Sequence, residues 1–200
     1  SKKKLELALS KLKQVDSPKV DLEQYQIPSN IAAEVLWFAF MNKTIENKII
    51  ADLGCGNGIL GIGCLLLNAR KVFLVDSDSD SILIAKENID SLGLKNAVLL
   101  HEDIFKFNEK VDIAVQNPPF GVQNEHADRE FLIKAMENSN YIYSFHKLES
   151  ENFIRALAGD YNFEIENILK FKFPLKKTQK FHEKKIHLVD VGCFILKRKV

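Results

Sequence analysis

Two hundred residues with 46% hydrophobic and 28% charged side chains, 9 Gly and 5 Pro, bury one domain core without disulfide or metal staples, which excludes a disordered chain, a collagen-like polymer and a solenoid array. The longest apolar stretch, around Ile59 to Leu67, is short of the ~20 residues that cross a bilayer, the Lys-rich start has no signal-like apolar core, and Cys55, Cys64 and Cys193 offer no C-x-x-C pair or zinc spacing, so a soluble, unexported, metal-free chain in a reducing cytoplasm is expected. The net charge of +1 is uneven, because Lys170 to Lys199 carry ten Lys/Arg against Glu183 and Asp190, a local +8 that leaves −7 on the other 170 residues; such an end attracts polyanions, although a solvated Lys-rich face has the same composition.

In chain order, Leu5, Leu9 and Leu12 predict a short amphipathic helix that stops at Asp16-Ser17-Pro18. Ser29 or Asn30 can cap a second helix over Ile31 to Met41. From Lys48 short apolar runs alternate with helical stretches, the pattern of βαβ units around a parallel sheet. Buried strands are expected at Ile49 to Ala51, Val72 to Val75, Ala97 to Leu100, Ile113 to Val115 and Tyr141 to Tyr143, with helices at Ile59 to Leu67, Asp80 to Leu92, Asp128 to Asn138 and Leu148 to Leu157. Phe163 to Phe173 and Ile186 to Leu196 have only a basic loop between them and close as an antiparallel hairpin. The expected organisation is a single domain over 1–200, with an N-terminal helical segment at 1–47 and an α/β core at 48–200 that ends in the basic hairpin.

Asp52-Leu53-Gly54-Cys55-Gly56-Asn57-Gly58 falls where the first strand gives way to a helix. Glycines let the backbone approach a ligand there, and the helix N-terminus offers free N–H groups. Gly56, Gly58 and Gly61 fit G-x-G-x-x-G with Asp76 downstream, but the dinucleotide fingerprint counts from the glycine directly after the strand. That glycine is Gly54, and Ile59 then stands where the third glycine belongs. Asp52 would also repel a pyrophosphate, whereas it suits a cationic ligand. Asp76 ends the next strand, placed to accept both hydroxyls of a ribose. Asp78 and Asp80 read as helix-capping or solvated residues, with Asp80 well placed to cap the helix beginning near Ser81. Asp103 follows the third strand and either receives an adenine amine or caps a short Ile104-Phe105 turn.

Gln116-Asn117-Pro118-Pro119-Phe120-Gly121 follows the next strand. Two successive prolines remove two backbone donors and fix the chain, leaving the Asn117 side-chain oxygen and the Pro118 carbonyl as rigid acceptors. Two fixed acceptors suit a planar amine: taking both its hydrogens favours a tetrahedral nitrogen, frees the lone pair and spreads the growing positive charge. Phe120 stacks on the flat face of the substrate, or else is a core residue below a Pro-Pro turn. Cys55 reads as a small packing residue, His146 lies near the same rim, and His101, His126 and His187 read as surface or structural.

Together these residues resemble the class I S-adenosylmethionine-dependent methyltransferases with an Asn-Pro-Pro-Phe/Tyr motif, and within them the archaeal and eukaryotic small-subunit ribosomal RNA adenine-N6 methyltransferases. Leu22-Glu23-Gln24-Tyr25, Asn117 through Gly121, Asp128 through Phe131, Tyr143-Ser144-Phe145-His146-Lys147 and Phe181-His182-Glu183-Lys184-Lys185 carry the likeness over most of the chain. The resemblance implies a Rossmann-like, mostly parallel seven-stranded sheet with helices on both faces, S-adenosylmethionine as cofactor, and methyl transfer to adenine N6 in structured RNA. It also implies that Gln24 and Tyr25 cover the cofactor, Asp52, Gly54 and Gly56 line its methionine and ribose side, and Asp76 holds the ribose. Ser77 then lies beside the adenine, Asp103 and Ile104 read its edge, and Asn117, Pro118, Pro119 and Phe120 position the target amine. Relatives commonly carry Thr where Ile27 stands, so any hydroxyl contact there is lost. Lys176, Lys177, Lys180, Lys184 and Lys185, with His182, are expected to hold RNA. The resemblance also implies a small zinc-binding activator beside the outer strand near Val98-Leu99-Leu100, the alternative being that helices cover that edge. Guanine-N2 methylation of ribosomal RNA and N5-glutamine methylation of a protein use the same two-acceptor logic, and a noncatalytic RNA-binding scaffold is the non-enzyme alternative.

Overall fold

A computed structural model describes residues 1–15, 26–120, 127–176 and 186–200. The apolar runs form β1 (Ile49–Leu53), β2 (Lys71–Asp76), β3 (Ala97–His101), β4 (Ile113–Gln116), β5 (Tyr141–Lys147), β6 (Phe163–Lys176) and β7 (Ile186–Arg198). They make one seven-stranded sheet in the order β3-β2-β1-β4-β5-β7-β6. β1 to β5 run parallel, while β7 lies antiparallel to both β5 and β6. The strand order therefore reverses between β1 and β4, which opens a crevice at the carboxyl ends of the strands.

Side chains alternate across each strand, so every central strand feeds two cores. Ile50, Val72, Leu74, Ile113 and Val115 point to one face. That face is covered by α1 (Lys2–Leu9), α2 (Ser29–Met41), α3 (Ile59–Leu66) and α4 (Ser79–Ser91). Ala51, Leu53, Phe73, Val75 and Ala114 point to the other, under α5 (Ala127–Asn138) and α6 (Glu151–Asp160). Each fully buried Leu, Ile or Phe contributes about 1.5–3 kcal/mol. Gly63 lets α2 and α3 pack closely, since a Cβ there would collide with Leu36.

Three helix starts differ from the sequence expectation. Pro28, with its fixed φ and no N–H, is the N-cap of α2, so neither Ser29 nor Asn30 caps it. Asp78 rather than Asp80 is the N-cap of α4. Leu148–Ser150 form a separate 3-10 turn before α6. Leu12 is buried but lies past the end of α1.

The hairpin reaches further than its partner strand. β5 and β7 stop pairing at Lys147 and Val191, whereas β6 and β7 continue through Lys172/Asp190 to Lys176/Ile186. This two-stranded extension leaves the sheet past the carboxyl end of β5, on the side where the crevice opens. Among the described residues no helix is long and apolar enough to cross a membrane.

Candidate active site

β1 ends at Leu53, and the chain turns through Gly54 and Gly56, at φ 70° and 54°, before entering α3. Positive φ favours glycine at both positions, but their surroundings differ. A Cβ at Gly54 would stand 2.8 Å from Cε1 of Phe131 on α5, whereas among the described residues one at Gly56 would meet nothing within 4 Å. The turn therefore has one packed shoulder and one open one. The N–H groups of Gly54 and Cys55 donate to the Val75 carbonyl at 2.8 and 2.9 Å, which ties the turn to the end of β2.

Two carboxylates brace this turn from beneath. Asp52 is 1% exposed, and its Oδ2 accepts the Gly61 N–H of α3 at 2.7 Å. Burial raises its carboxyl to about 7 against that bond, and the charge of Asp76 adds to the rise. Asp76 accepts the Gly56 N–H on Oδ2 at 2.8 Å and the Asp78 N–H on Oδ1 at 2.9 Å. Burial raises its carboxyl too, opposed by those two bonds. Each carboxylate oxygen has a second acceptor position, so Asp76 keeps the capacity to receive a pair of neighbouring hydroxyls.

Along the rim, Ser77 is exposed, and its carbonyl oxygen lies 3.1 Å from His101 Nε2. Asp103 is exposed, and its Oδ1 caps the Ile104–Lys106 turn by accepting the Phe105 N–H at 3.0 Å, the capping alternative left open by the sequence. Ile104 is buried below it. Cys55 lies in the turn, and burial first of all pushes its thiol well above the ordinary range, so it is a packing group and not a nucleophile.

Across the crevice β4 ends at Gln116, followed by Asn117, Pro118, Pro119 and Phe120. Asn117 and Pro119 are half-buried, and Pro118 is buried. Phe120 is 7% exposed, its ring edge-on to Phe173 of β6 with centroids 6.2 Å apart. The ring packs against the hairpin through this apolar contact, which ties the acceptor turn to β6. Gln24, Tyr25, Lys177, Lys180, His182, Lys184 and Lys185 lie outside the described residues, as does His126, and of Lys176 only the backbone is described, opposite Ile186.

Phe131, at the end of a stretch that carries the likeness, packs against Gly54 from α5, and one group near the site was not singled out from the sequence. Asn88 of α4 accepts the Lys13 N–H at 2.8 Å and donates to the Lys13 carbonyl at 3.1 Å and the Asn57 carbonyl at 3.0 Å. Asn57 in turn donates to the Lys13 carbonyl at 3.1 Å and accepts the Ile59 N–H at 3.3 Å. This buried node fastens the chain leaving α1 to the glycine turn. A buried Asn in a helix was the only sequence signal, and it is weak.

A glycine turn at the switch point of a parallel sheet, with a seventh strand inserted antiparallel, defines a Rossmann-like methyltransferase. The Methyltransferase small domain family matches residues 29–140, and the chain belongs to that family. It is 35% identical to the Methanocaldococcus jannaschii protein MJ0284, over 98% of this chain and 94% of that one. It is 33% identical to the rRNA N(6)-adenosine-methyltransferase METTL5 of Danio rerio, over 92% of each. The crystal structure of the Pyrococcus horikoshii protein PH1948 superposes with a TM-score of 0.92 at 40% identity, over 100% of this chain and 98% of that one.

Proposed function

We propose that this enzyme transfers the methyl group of S-adenosylmethionine to N6 of an adenine in small-subunit ribosomal RNA. The observation that carries the reading is the Asn117-Pro118 acceptor turn standing across the switch point from the glycine turn. The activity in the name of the zebrafish relative supports it over nearly the whole chain. The chain's residues also fit the cofactor: no described residue comes within 4 Å of a Cβ placed on Gly56, and Asp76 has acceptor capacity for a ribose diol.

The bound cofactor supplies a methyl group on a cationic sulfur, which leaves as a neutral thioether when displaced in line. Asp76 orients the ribose, Asp52 holds negative charge under the turn, and Gln24, Tyr25, Gly54, Ser77, Asp103 and Ile104 complete the pocket. On the acceptor side the Asn117 oxygen and the Pro118 carbonyl take the two amine hydrogens, which turns the nitrogen lone pair toward the methyl. With the amine so held, its nitrogen would take the methyl that the cofactor would supply as the neutral thioether leaves, and the methylated amine would then lose one proton to water. Extruding the target base from its stack costs a few kcal/mol. Lys176, Lys177, Lys180, His182, Lys184 and Lys185 hold the surrounding phosphates, which suits a ribbon leaving the sheet on the crevice side. β3 is an outer strand with half-buried Ala97, Val98, Leu99 and Leu100, and it is where a small zinc-binding activator docks. The enzyme works as a single domain in the cytoplasm, in keeping with three free, buried cysteines.

The test is incubation with total RNA and labelled donor, followed by mass analysis of the modified nucleoside. N6-methyladenosine in small-subunit ribosomal RNA is expected; N2-methylguanosine or a methylated protein amide overturns the reading. Replacing Lys184 and Lys185 by Ala is expected to flatten the salt dependence of RNA binding by about one slope unit per lost phosphate contact. A charge introduced at Val98 is expected to abolish co-elution of zinc with the chain purified from its own cells.

A further inference from the structure

Directly behind the acceptor turn lies a line of buried polar groups that the transfer itself does not use. Gln116 is the last residue of β4 and pairs with Ser144 of β5 in the final register position of that ladder. Its Nε2 donates to Ser144 Oγ at 2.9 Å, and Ser144 Oγ lies 2.6 Å from His146 Nε2. Gln116 and Ser144 are 0% exposed and His146 1%. Burial lowers the His146 imidazole to about 3, so the ring is neutral at working pH. A neutral ring completes the line when the Ser144 hydroxyl donates to Nε2 and the ring proton sits on Nδ1. At the two ends Gln116 Oε1 and His146 Nδ1 are buried with no hydrogen-bond partner among the described residues.

Such an arrangement is costly. A buried polar atom without a partner destabilises a fold by about 1–3 kcal/mol, and apolar groups of similar shape remove that cost. Unpartnered buried groups call for a specific explanation, and sites where local rules are broken are commonly functional. The location supplies one. After Gln116 the chain leaves the sheet, and Pro118 and Pro119 have no N–H with which to rejoin a ladder, so the acceptor turn is rooted at Gln116. β5 continues to Lys147 and is held on its other side by β7, where the His146 ring stands edge-on to Phe194 at 5.8 Å.

We propose that Gln116, Ser144 and His146 are positioning residues that fix the root of the acceptor turn to β5 and β7, so that the Asn117 and Pro118 oxygens keep the spacing the amine requires. The inference rests on the proposed methyl transfer. The test is the triple variant Gln116→Met, Ser144→Ala and His146→Leu, compared with wild type for thermal midpoint, calorimetric affinity for S-adenosylmethionine, and turnover on small-subunit ribosomal RNA. The expected result is a midpoint raised by about 2–4 °C or more, unchanged cofactor affinity, and turnover reduced about 10²-fold. Retained turnover overturns the proposal at any midpoint. If midpoint and turnover both fall, Ser144→Ala alone decides: turnover down about tenfold at unchanged cofactor affinity supports the positioning role, and wild-type turnover removes it. Wild-type enzyme inactive on that RNA instead sinks the substrate reading, leaving the rise in midpoint as a separate check on the buried line.

Discussion

The two halves of the crevice solve the problem of buried polarity in opposite ways. On the β1/β2 side, Asp52 and Asp76 are buried carboxylates that receive backbone N–H groups from Gly61, Gly56 and Asp78. On the β4/β5 side, Gln116, Ser144 and His146 bond to one another and, among the described residues, leave an atom without a partner at each end. Backbone donors cannot be withdrawn by rotating a side chain, so the first half holds charge in a fixed field. The second half holds neutral groups whose arrangement depends on three rotamers at once. Rigid charge suits a cationic cofactor, whereas fine adjustment of two acceptors suits a weakly nucleophilic amine.

The most severe way to break this division is to remove one acceptor. Asn117→Ala is expected to lower turnover by about 10²–10³-fold, the scale of losing one preorganised electrostatic partner, with calorimetric affinity for S-adenosylmethionine unchanged. A matching loss of affinity would merge the two halves into one unit. Next in size is Asp76→Ala, expected to weaken cofactor binding by about 10–10²-fold, since hydrogen bonds to a charged group are each worth about 1.5–3 kcal/mol. Unchanged affinity would take Asp76 out of the pocket.

Legibility in the sequence follows the same divide. The alternation of apolar runs located all seven strands because sheet periodicity is local, and Gly54, Gly56 and Asp76 stood out because a strand-end turn needs particular residue types. Helix starts were less legible: Pro28 and Asp78 won over Ser29, Asn30 and Asp80 through backbone geometry that composition does not fix. Phe120 illustrates a different limit. An aromatic ring beside a turn can face substrate or core, and its edge contact with Phe173 comes from a strand more than fifty positions away. The Phe131–Gly54 contact and the Asn88–Lys13 bonds, the latter across 75 positions of sequence, exist only after the sheet has assembled.

That last node offers a finer test of how rigid the first half is. Asn88→Ala leaves the Lys13 N–H and the Lys13 and Asn57 carbonyls without this partner. A stability loss of about 1–3 kcal/mol is expected in denaturant unfolding, with a smaller loss of cofactor affinity than Asp76→Ala gives. Asn88→Asp keeps the acceptor for the Lys13 N–H but loses the donors to the Lys13 and Asn57 carbonyls, so it isolates the worth of that one accepted bond.

The smallest effect concerns the charge on Asp52, and it has a definite sign. Burial raises this carboxyl from 3.8 to about 7, so between those values the folded protein binds a proton that the unfolded chain has released. Its contribution to stability is therefore fully present below about pH 4 and is lost as pH rises through 7. Cofactor binding runs the other way. A cation over the glycine turn favours the charged carboxylate, so binding expels the proton, and affinity falls by up to about tenfold per pH unit below 7. Calorimetry in buffers of different ionisation enthalpy reads the released proton directly. Asp52→Asn can still accept the Gly61 N–H while carrying no charge, so it is expected to flatten the pH dependence and to separate Asp52 from Asp76. If wild-type affinity is level from pH 8 to about 5.5, Asp52 serves α3 alone and the fixed field of the first half comes from Asp76.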